Sequence, residues 1–265
     1  MVGSRPLAVV TGASAGIGAL YARRLAVDGY DLVLVARRRE RLEELAAELR
    51  GKHGVDVEVL PADLIREDGL KVVEERIARA ENLEFLINNA GFGTKGRFSD
   101  GPVENHDAMH RLHVMATMRL SHAALRKMTA RGKGALVNVS SVAAFICRPG
   151  NTSYYSTKAW MNCFTEGLYL ELKAARSPVR VQALCPGFTV TEFHDVMGFD
   201  RKQVPASWWM SAEEVVEASL RGLRRGDLIV VPGWRYKLIV WLLRLTPRSL
   251  IHAASAIRPS AMERG

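Results

Sequence analysis

Short apolar, largely β-branched runs recur along the chain, each bounded by polar or glycine-rich residues: LAVVT (7–11), LVLVA (32–36), VEVL (57–60), FLINN (85–89), ALVNVS (135–140), VRVQAL (179–184) and LIVV (228–231). Runs of this length with few polar interruptions suit strands buried on both faces of a parallel sheet. Between them the apolar positions switch to a helical period, as in ERLEELAAELR and LKVVEERIARA. Strands alternating with helices predict an α/β fold, a doubly wound sheet built from right-handed βαβ units. In such a sheet the carboxyl ends of the strands share one edge, where ligands bind. No repeat, low-complexity tract or linker interrupts the pattern before residue 233. The expected organisation is one domain, with its main body over 1–232 and an apolar, basic helical extension over 233–265.

The first strand hands over to a helix through VVTGASAGIG, which carries Gly12, Gly16 and Gly18 in a TGxxxGxG spacing around Ser14 and Ile17. Glycine permits backbone conformations closed to other residues and lets a ligand reach the main chain without meeting a Cβ. The free amides opening the next helix favour a phosphate. The stretch therefore reads as a pyrophosphate cradle, against the alternative of a tight turn with no ligand. The second strand ends at Ala36 and is followed by Arg37 and Arg38. An acid near this point accepts ribose hydroxyls in dinucleotide folds, whereas arginine accommodates a 2′-phosphate. The plainer alternative, that ARRRER (36–41) opens a solvated helix, accounts for Arg39 and Arg41 but not for the missing acid.

Three further pieces carry chemistry: NNAG (88–91), NVSS (138–141) and YYSTK (154–158). Tyr154 and Lys158 are four apart and share one helix face, whereas Tyr155 lies about 100° away from Tyr154. A free phenol titrates near pH ~10, so proton transfer near neutrality requires roughly 4 kcal/mol of stabilisation of its anion. The ammonium of Lys158 and a cationic nicotinamide are the expected sources.

These motifs, with PGFTVT (186–191), resemble in order and spacing the short-chain dehydrogenase/reductase family over roughly residues 5–232. The resemblance implies a Rossmann-like fold with seven parallel strands and hydride transfer between a nicotinamide and a carbonyl or secondary alcohol. It makes Ser141 the holder of the substrate oxygen, Ser140 its structural neighbour and Tyr154 the general acid for reduction. Lys158 would bind the nicotinamide ribose and tune Tyr154. It sets Asn89, Ala90 and Gly91 beside the adenosine and Asp63, followed by Leu64, at the adenine. Pro186, Gly187, Thr189 and Thr191 fall around the nicotinamide. Arg37 after an acid-free strand end implies NADP(H). One position departs from the pattern: LHVMAT (112–117) has His113 where the family usually has the asparagine of a catalytic tetrad. Either the histidine keeps the asparagine's backbone role in a water relay to the lysine, or it is a packed helix residue.

A net charge of +9 admits nucleic acid, an anionic membrane or an anionic ligand as partner, but no nucleic-acid motif or interleaved aromatic pattern accompanies the basic residues, so nucleic acid is not expected. Cys147, Cys163 and Cys185 have neither disulfide nor metal-ligand spacing. With no leader pattern in MVGSRP, they suggest a reducing, cytoplasmic setting. Cys147 is a candidate pocket wall, and Cys163 and Cys185 are expected to pack. Phe188, Phe193, Met197, Phe199, Trp208, Trp209 and Met210 are expected to form a lid around a moderately apolar substrate. The tail combines an apolar run, Leu238–Leu243, with Trp234, Tyr236, Trp241 and flanking Arg235, Lys237, Arg244 and Arg248. It is too short to span a bilayer and reads either as a packing surface or as a peripheral membrane contact. The expected protein is an NADP(H)-dependent reductase of carbonyls or the reverse dehydrogenase, assembled as a homodimer or homotetramer. A 3-oxoacyl thioester reductase is the alternative within enzymes, and a non-catalytic NADPH-binding sensor or scaffold the alternative outside them.

Overall fold

A computed structural model describes residues 5–94 and 96–257. The expectation of no leader in residues 1–4 and the last eight positions of the 233–265 extension lie outside the described residues.

Chain order runs β1 (Leu7–Thr11), α1 (Gly16–Val27), β2 (Asp31–Ala36), α2 (Arg39–His53), β3 (Val57–Pro61), α3 (Glu67–Ala78), β4 (Leu83–Asn88), α4 (Val103–His110) and α5 (Thr117–Arg131). It continues with β5 (Ala135–Val139), α6 (Thr152–Ala174), β6 (Arg180–Leu184), α7 (Glu192–Val196), α8 (Ala212–Arg225), β7 (Ile229–Val230), α9 (Trp234–Leu245) and α10 (Arg248–Ile257). Among the described residues the strands form one sheet in the order β3-β2-β1-β4-β5-β6-β7, and every pairing is parallel. The chain reverses its direction of winding between β1 and β4, so a crevice opens above the carboxyl ends of those two strands.

Alternation along each strand splits the core into two layers. Ala8 and Val10, with Leu32 and Leu34, face the residues of α1, α2 and α8. Leu7 and Val9, with Val33 and Val35, face α3, α5 and α6. Because both faces are covered, the buried strands read as largely apolar runs, most clearly β1 and β2, whereas the edge strand β3 exposes Glu58. The stripe Leu42, Leu45, Ala46 and Leu49 shows the helical counterpart on α2, which stops at Gly54 in the left-handed region (φ 61°). Helix α8 starts at a reciprocal cap, Ser211 with Glu214, which ties two otherwise unpaired amides.

The long helical segment before β5 is not regular. Between α4 and α5, Arg111–Ala116 adopt π-helical geometry. Such an insertion rotates the following side chains and is frequent at functional sites. It turns His113 fully inward.

Helix α9 packs on the domain by one face. Tyr236 and Val240 of α9 are buried with Ala183, Cys185 and Val231. Helix α9 ends before Pro247, and α10 follows. No helix among the described residues is long and apolar enough to cross a membrane.

Candidate active site

A cleft of about 550 Å³ lies over the carboxyl edge of the sheet. Its floor at one end is the β1–α1 turn. Gly12 (φ 65°) and Gly16 (φ 56°) line it in the left-handed region, and a Cβ on Gly12 would come within 2.7 Å of Asn89 Nδ2. Ser14 and Ile17 line the same end. Helix α1 is preceded by Ala15, which offers no side-chain cap, and has no acid in its first turn, which leaves amides free for an anion. Gly18 is different. It does not line the cleft, and a Cβ there would collide with the Gly12 carbonyl oxygen, so its role is close helix-to-turn packing rather than ligand contact.

Arg37, Arg38, Asp63 and Leu64 line the cleft beyond the turn. Arg38 is held in place: Nη2 donates to Ser14 Oγ at 3.0 Å and Nη1 to Glu192 of α7 at 2.8 Å. Arg41, exposed and outside the cleft lining as a solvated helix start would have it, reaches Glu192 at 3.7 Å. Asn89, Ala90 and Gly91 line the middle, but Asn89 has a second task. Its Nδ2 donates to the carbonyls of Thr11 and Gly12 at 2.9 and 3.2 Å, stapling β4 to the glycine turn. Thr11 Oγ1 completes the staple by accepting the amides of Asn89 and Ala90.

At the far end stand Ser141, Tyr154 and Lys158. Ser141 follows β5 and caps a short 3₁₀ turn, its Oγ accepting from the Ala143 amide at 3.1 Å. Tyr154 and Lys158 project from α6. Lys158 is buried, and its Nζ donates to the Val139 carbonyl at 2.8 Å. Burial pulls the Lys158 ammonium down to about 8. Burial pushes the Tyr154 phenol up to about 12, opposed by a hydrogen bond with Ser141. This departs from the expectation that the ammonium lowers the phenol. Nζ lies 5.7 Å from the ring centroid, with one of its three N–H donors on Val139. Ser140, in contrast, is buried and donates to the Lys158 carbonyl at 3.0 Å, a structural role.

His113 does not line the cleft either. Thr157 Oγ1 donates to the Tyr154 carbonyl at 3.1 Å, so it accepts from His113 Nδ1 at 3.0 Å. Nε2 then accepts the Phe92 amide at 3.2 Å. Both ring nitrogens are occupied in one neutral tautomer, which leaves no imidazole free for a proton relay. Burial, then the nearby charges of Lys158 and His110, hold its pKa well below the ordinary value. The ring ties the NNAG loop to α6, and a Cβ on Gly91 would come within 2.8 Å of Nε2.

The segment after β6 closes the far end. Pro186, Gly187, Thr189 and Thr191 line the cleft with Phe188, Phe193, Met197 and Phe199. Trp208, Trp209 and Met210 do not. Trp208 packs edge-on against Tyr236, and Trp209 contacts His194 and Phe188 at 4.8 and 5.3 Å between centroids. Met210 pairs through its backbone with Phe188 and Val190. They brace the lid from behind. His194 lines the cleft and was not singled out from sequence, because an isolated histidine without a partner motif carries no pattern. Phe92 and Glu192 line it as well and carry no motif in the sequence, and Tyr155, set aside in favour of Tyr154 on helix geometry, also reaches the cleft. Cys147 and Cys163 are exposed, the former outside the cleft wall and the latter off the packed helix face, while Cys185 is buried. No group of three or more metal-ligating side chains occurs among the described residues.

The cleft thus joins an anion cradle to a serine, a tyrosine and a lysine. Residues 6–200 match the family model described as short chain dehydrogenase. The chain belongs to that family. Among curated relatives, the 7beta-hydroxysteroid dehydrogenase of Mediterraneibacter gnavus is 30% identical over 231 residues, 86% of each chain. Among solved structures, a short-chain dehydrogenase from Sphingobium yanoikuyae in complex with NADPH superposes with a TM-score of 0.84 at 38% identity, covering 96% of this chain and 97% of that one. A bulky-bulky ketone specific alcohol dehydrogenase from Comamonas testosteroni superposes with a TM-score of 0.78 at 33% identity, covering 97% and 96%. Membership makes this protein an oxidoreductase of the nicotinamide-dependent, Rossmann-like kind, acting between alcohol and carbonyl groups.

Proposed function

We propose that this short-chain dehydrogenase uses NADP(H) and acts on the carbonyl or secondary alcohol of a moderately apolar substrate. The observation that carries the reading is one continuous cleft with Arg37 and Arg38 at one end and Ser141, Tyr154 and Lys158 at the other. Gly12, Gly16 and the uncapped start of α1 fit a pyrophosphate, and the two arginines fit a 2′-phosphate. The Sphingobium neighbour's NADPH complex supports the same choice.

When bound, the coenzyme supplies or accepts the hydride. The chain's residues do the rest. Ser141 Oγ hydrogen-bonds the substrate oxygen and Tyr154 transfers the proton to or from it. With its pKa near 12, the phenol holds its proton at neutral pH, the state that reduction of a carbonyl requires. Lys158, with a pKa near 8, is charged at neutral pH and would hold the nicotinamide ribose when the coenzyme binds. His113 and Thr157 position this group through the Tyr154 carbonyl. Phe188, Phe193, Met197 and Phe199 supply an apolar wall.

Residues 1–232 carry this chemistry and 233–265 belong to the same domain. A homodimer or homotetramer in the cytoplasm completes the proposal, and the exposure of Met115, Met118 and Leu170 on the long helices flanking β5 supports a self-contact there. Initial rates with NADPH and NADH against ring ketones, aryl ketones and 3-oxoacyl thioesters test the reading. Turnover of an apolar ketone with NADPH is expected. Preference for a thioester would move the substrate class, and tight NADPH binding with no turnover on any of them would make the protein a sensor.

A further inference from the structure

Helix α9 is apolar on two opposite faces. One face is spent on the core through Tyr236 and Val240. On the other, Trp234, Leu238, Trp241, Leu242 and Leu245 are 48–70% exposed. Their spacing of i, i+4, i+7, i+8 and i+11 confines them to a stripe about 100° wide. Arg235 flanks one edge of the stripe, and Lys237 and Arg244 flank the other. Beside that second edge a hollow of about 290 Å³ lies between α9 and β7, lined by Arg225, Lys237, Val240, Trp241 and Arg244, with Asp227 paired to Arg225. From Leu228 to Ile257 the sequence contains no Asp or Glu.

We propose that this stripe docks on an anionic lipid surface, with α9 lying in the plane of the interface. Leucines and tryptophans sink into the headgroup boundary while the flanking cations meet lipid phosphates and carboxylates. The charge pattern selects this partner over a second copy. A two-fold contact through α9 would set its cations against their own copies with no acid on the helix to pair them. At 12 residues α9 is too short to span a bilayer.

Docking also reaches the cleft. Tyr236 Oη accepts the Phe188 amide at 3.0 Å and donates to the Trp208 carbonyl at 2.7 Å, and Arg235 donates to the Ser207 carbonyl. The lid is thus fastened to the helix that lies on the lipid. An apolar substrate dissolved in the bilayer would then meet the lid directly. That consequence rests on the proposed substrate class, whereas the docking does not.

Sedimentation of the full chain with phosphatidylcholine vesicles, with and without phosphatidylserine, tests the proposal. Binding to the anionic vesicles at low salt is expected to exceed binding to neutral ones at least ten-fold and to weaken at high salt. Lys237→Glu is expected to lower it at least five-fold. Leu238→Ser with Leu242→Ser is expected to abolish it while the protein stays folded, with a thermal midpoint only modestly lowered because about half of each side chain faces solvent. Quenching of tryptophan fluorescence by brominated lipid, measured on the unmodified protein, checks the contact without any variant. Absence of binding to anionic vesicles at low salt, or absence of quenching in bound protein, overturns the proposal. So does a double variant that splits an oligomer while leaving vesicle binding intact, which would assign the stripe to a second copy.

Discussion

Replacing His113 by asparagine should flatten the acid side of the stability curve. The ring is fully buried and holds two hydrogen bonds that require it to be neutral, with Nε2 accepting from Phe92 and Nδ1 donating to Thr157. A proton on Nε2 would face the Phe92 amide and add a cation beside Lys158. The native state therefore resists a proton that the unfolded chain takes up near pH ~6.5. With the folded pKa depressed, the stabilising contribution is present above that pH and lost as the pH falls. If His113 stays neutral throughout, the loss between pH 7.5 and 5.5 is about 1.4 kcal/mol. Lys158 does not mimic this. Its pKa is about 8 in the native state, so below neutrality it is charged in both states and its contribution changes by only about 0.2 kcal/mol over the same window. His194, whose pKa is also lowered by burial and by Arg201, remains in both proteins and cancels. Urea unfolding of the unmodified protein and His113→Asn at pH 7.5, 6.5 and 5.5 reads the effect as a difference of slopes. The variant should be less stable at pH 7.5 by about 1–3 kcal/mol, since Phe92 and Thr157 lose a partner. It should nevertheless lose about 1.4 kcal/mol less on acidification. Equal slopes for the two proteins would refute the neutral, doubly bonded imidazole.

Tyr154→Phe should lower kcat by about 10²–10⁴-fold and leave NADPH affinity nearly unchanged by fluorescence titration, while Tyr155→Phe stays within ten-fold of the unmodified enzyme; the reverse ranking would move the proton donor to the neighbouring phenol. Arg37→Asp and Arg38→Ala should each erode the preference for NADPH over NADH by about 1.5–3 kcal/mol in the ratio of binding constants, the value of one charge-assisted hydrogen bond. Gly12→Ala should impair coenzyme binding and lower the thermal midpoint, because φ is positive and the new Cβ presses on Asn89 and the backbone of Ala90; unchanged coenzyme affinity would show that the turn is not the cradle.

Local pattern determined much of this protein. Largely apolar runs marked the strands to within a residue or two because both faces of the inner sheet are covered. Motif spacing brought Tyr154 and Lys158 onto one helix face and put Gly12 and Gly16 at the turn, since those relations lie within one turn of a helix or one loop. Packing between distant segments decided the rest. Gly18 looks like Gly16 in sequence, yet only the close approach of α1 to the β1 turn makes it a packing residue. Asn89 became a staple because β1 and β4 are neighbours, although 78 positions separate it from Thr11. The role of His113 depends on a π-helical turn and on partners 21 and 44 positions away. Glu192 met Arg38 across 154 residues. The acidity of Tyr154 followed burial and not the lysine four residues on. Local hydrogen bonding and hydrophobic period act over a few residues and are written in order along the chain. Contacts, desolvation and electric fields arise only when the sheet order brings remote side chains together.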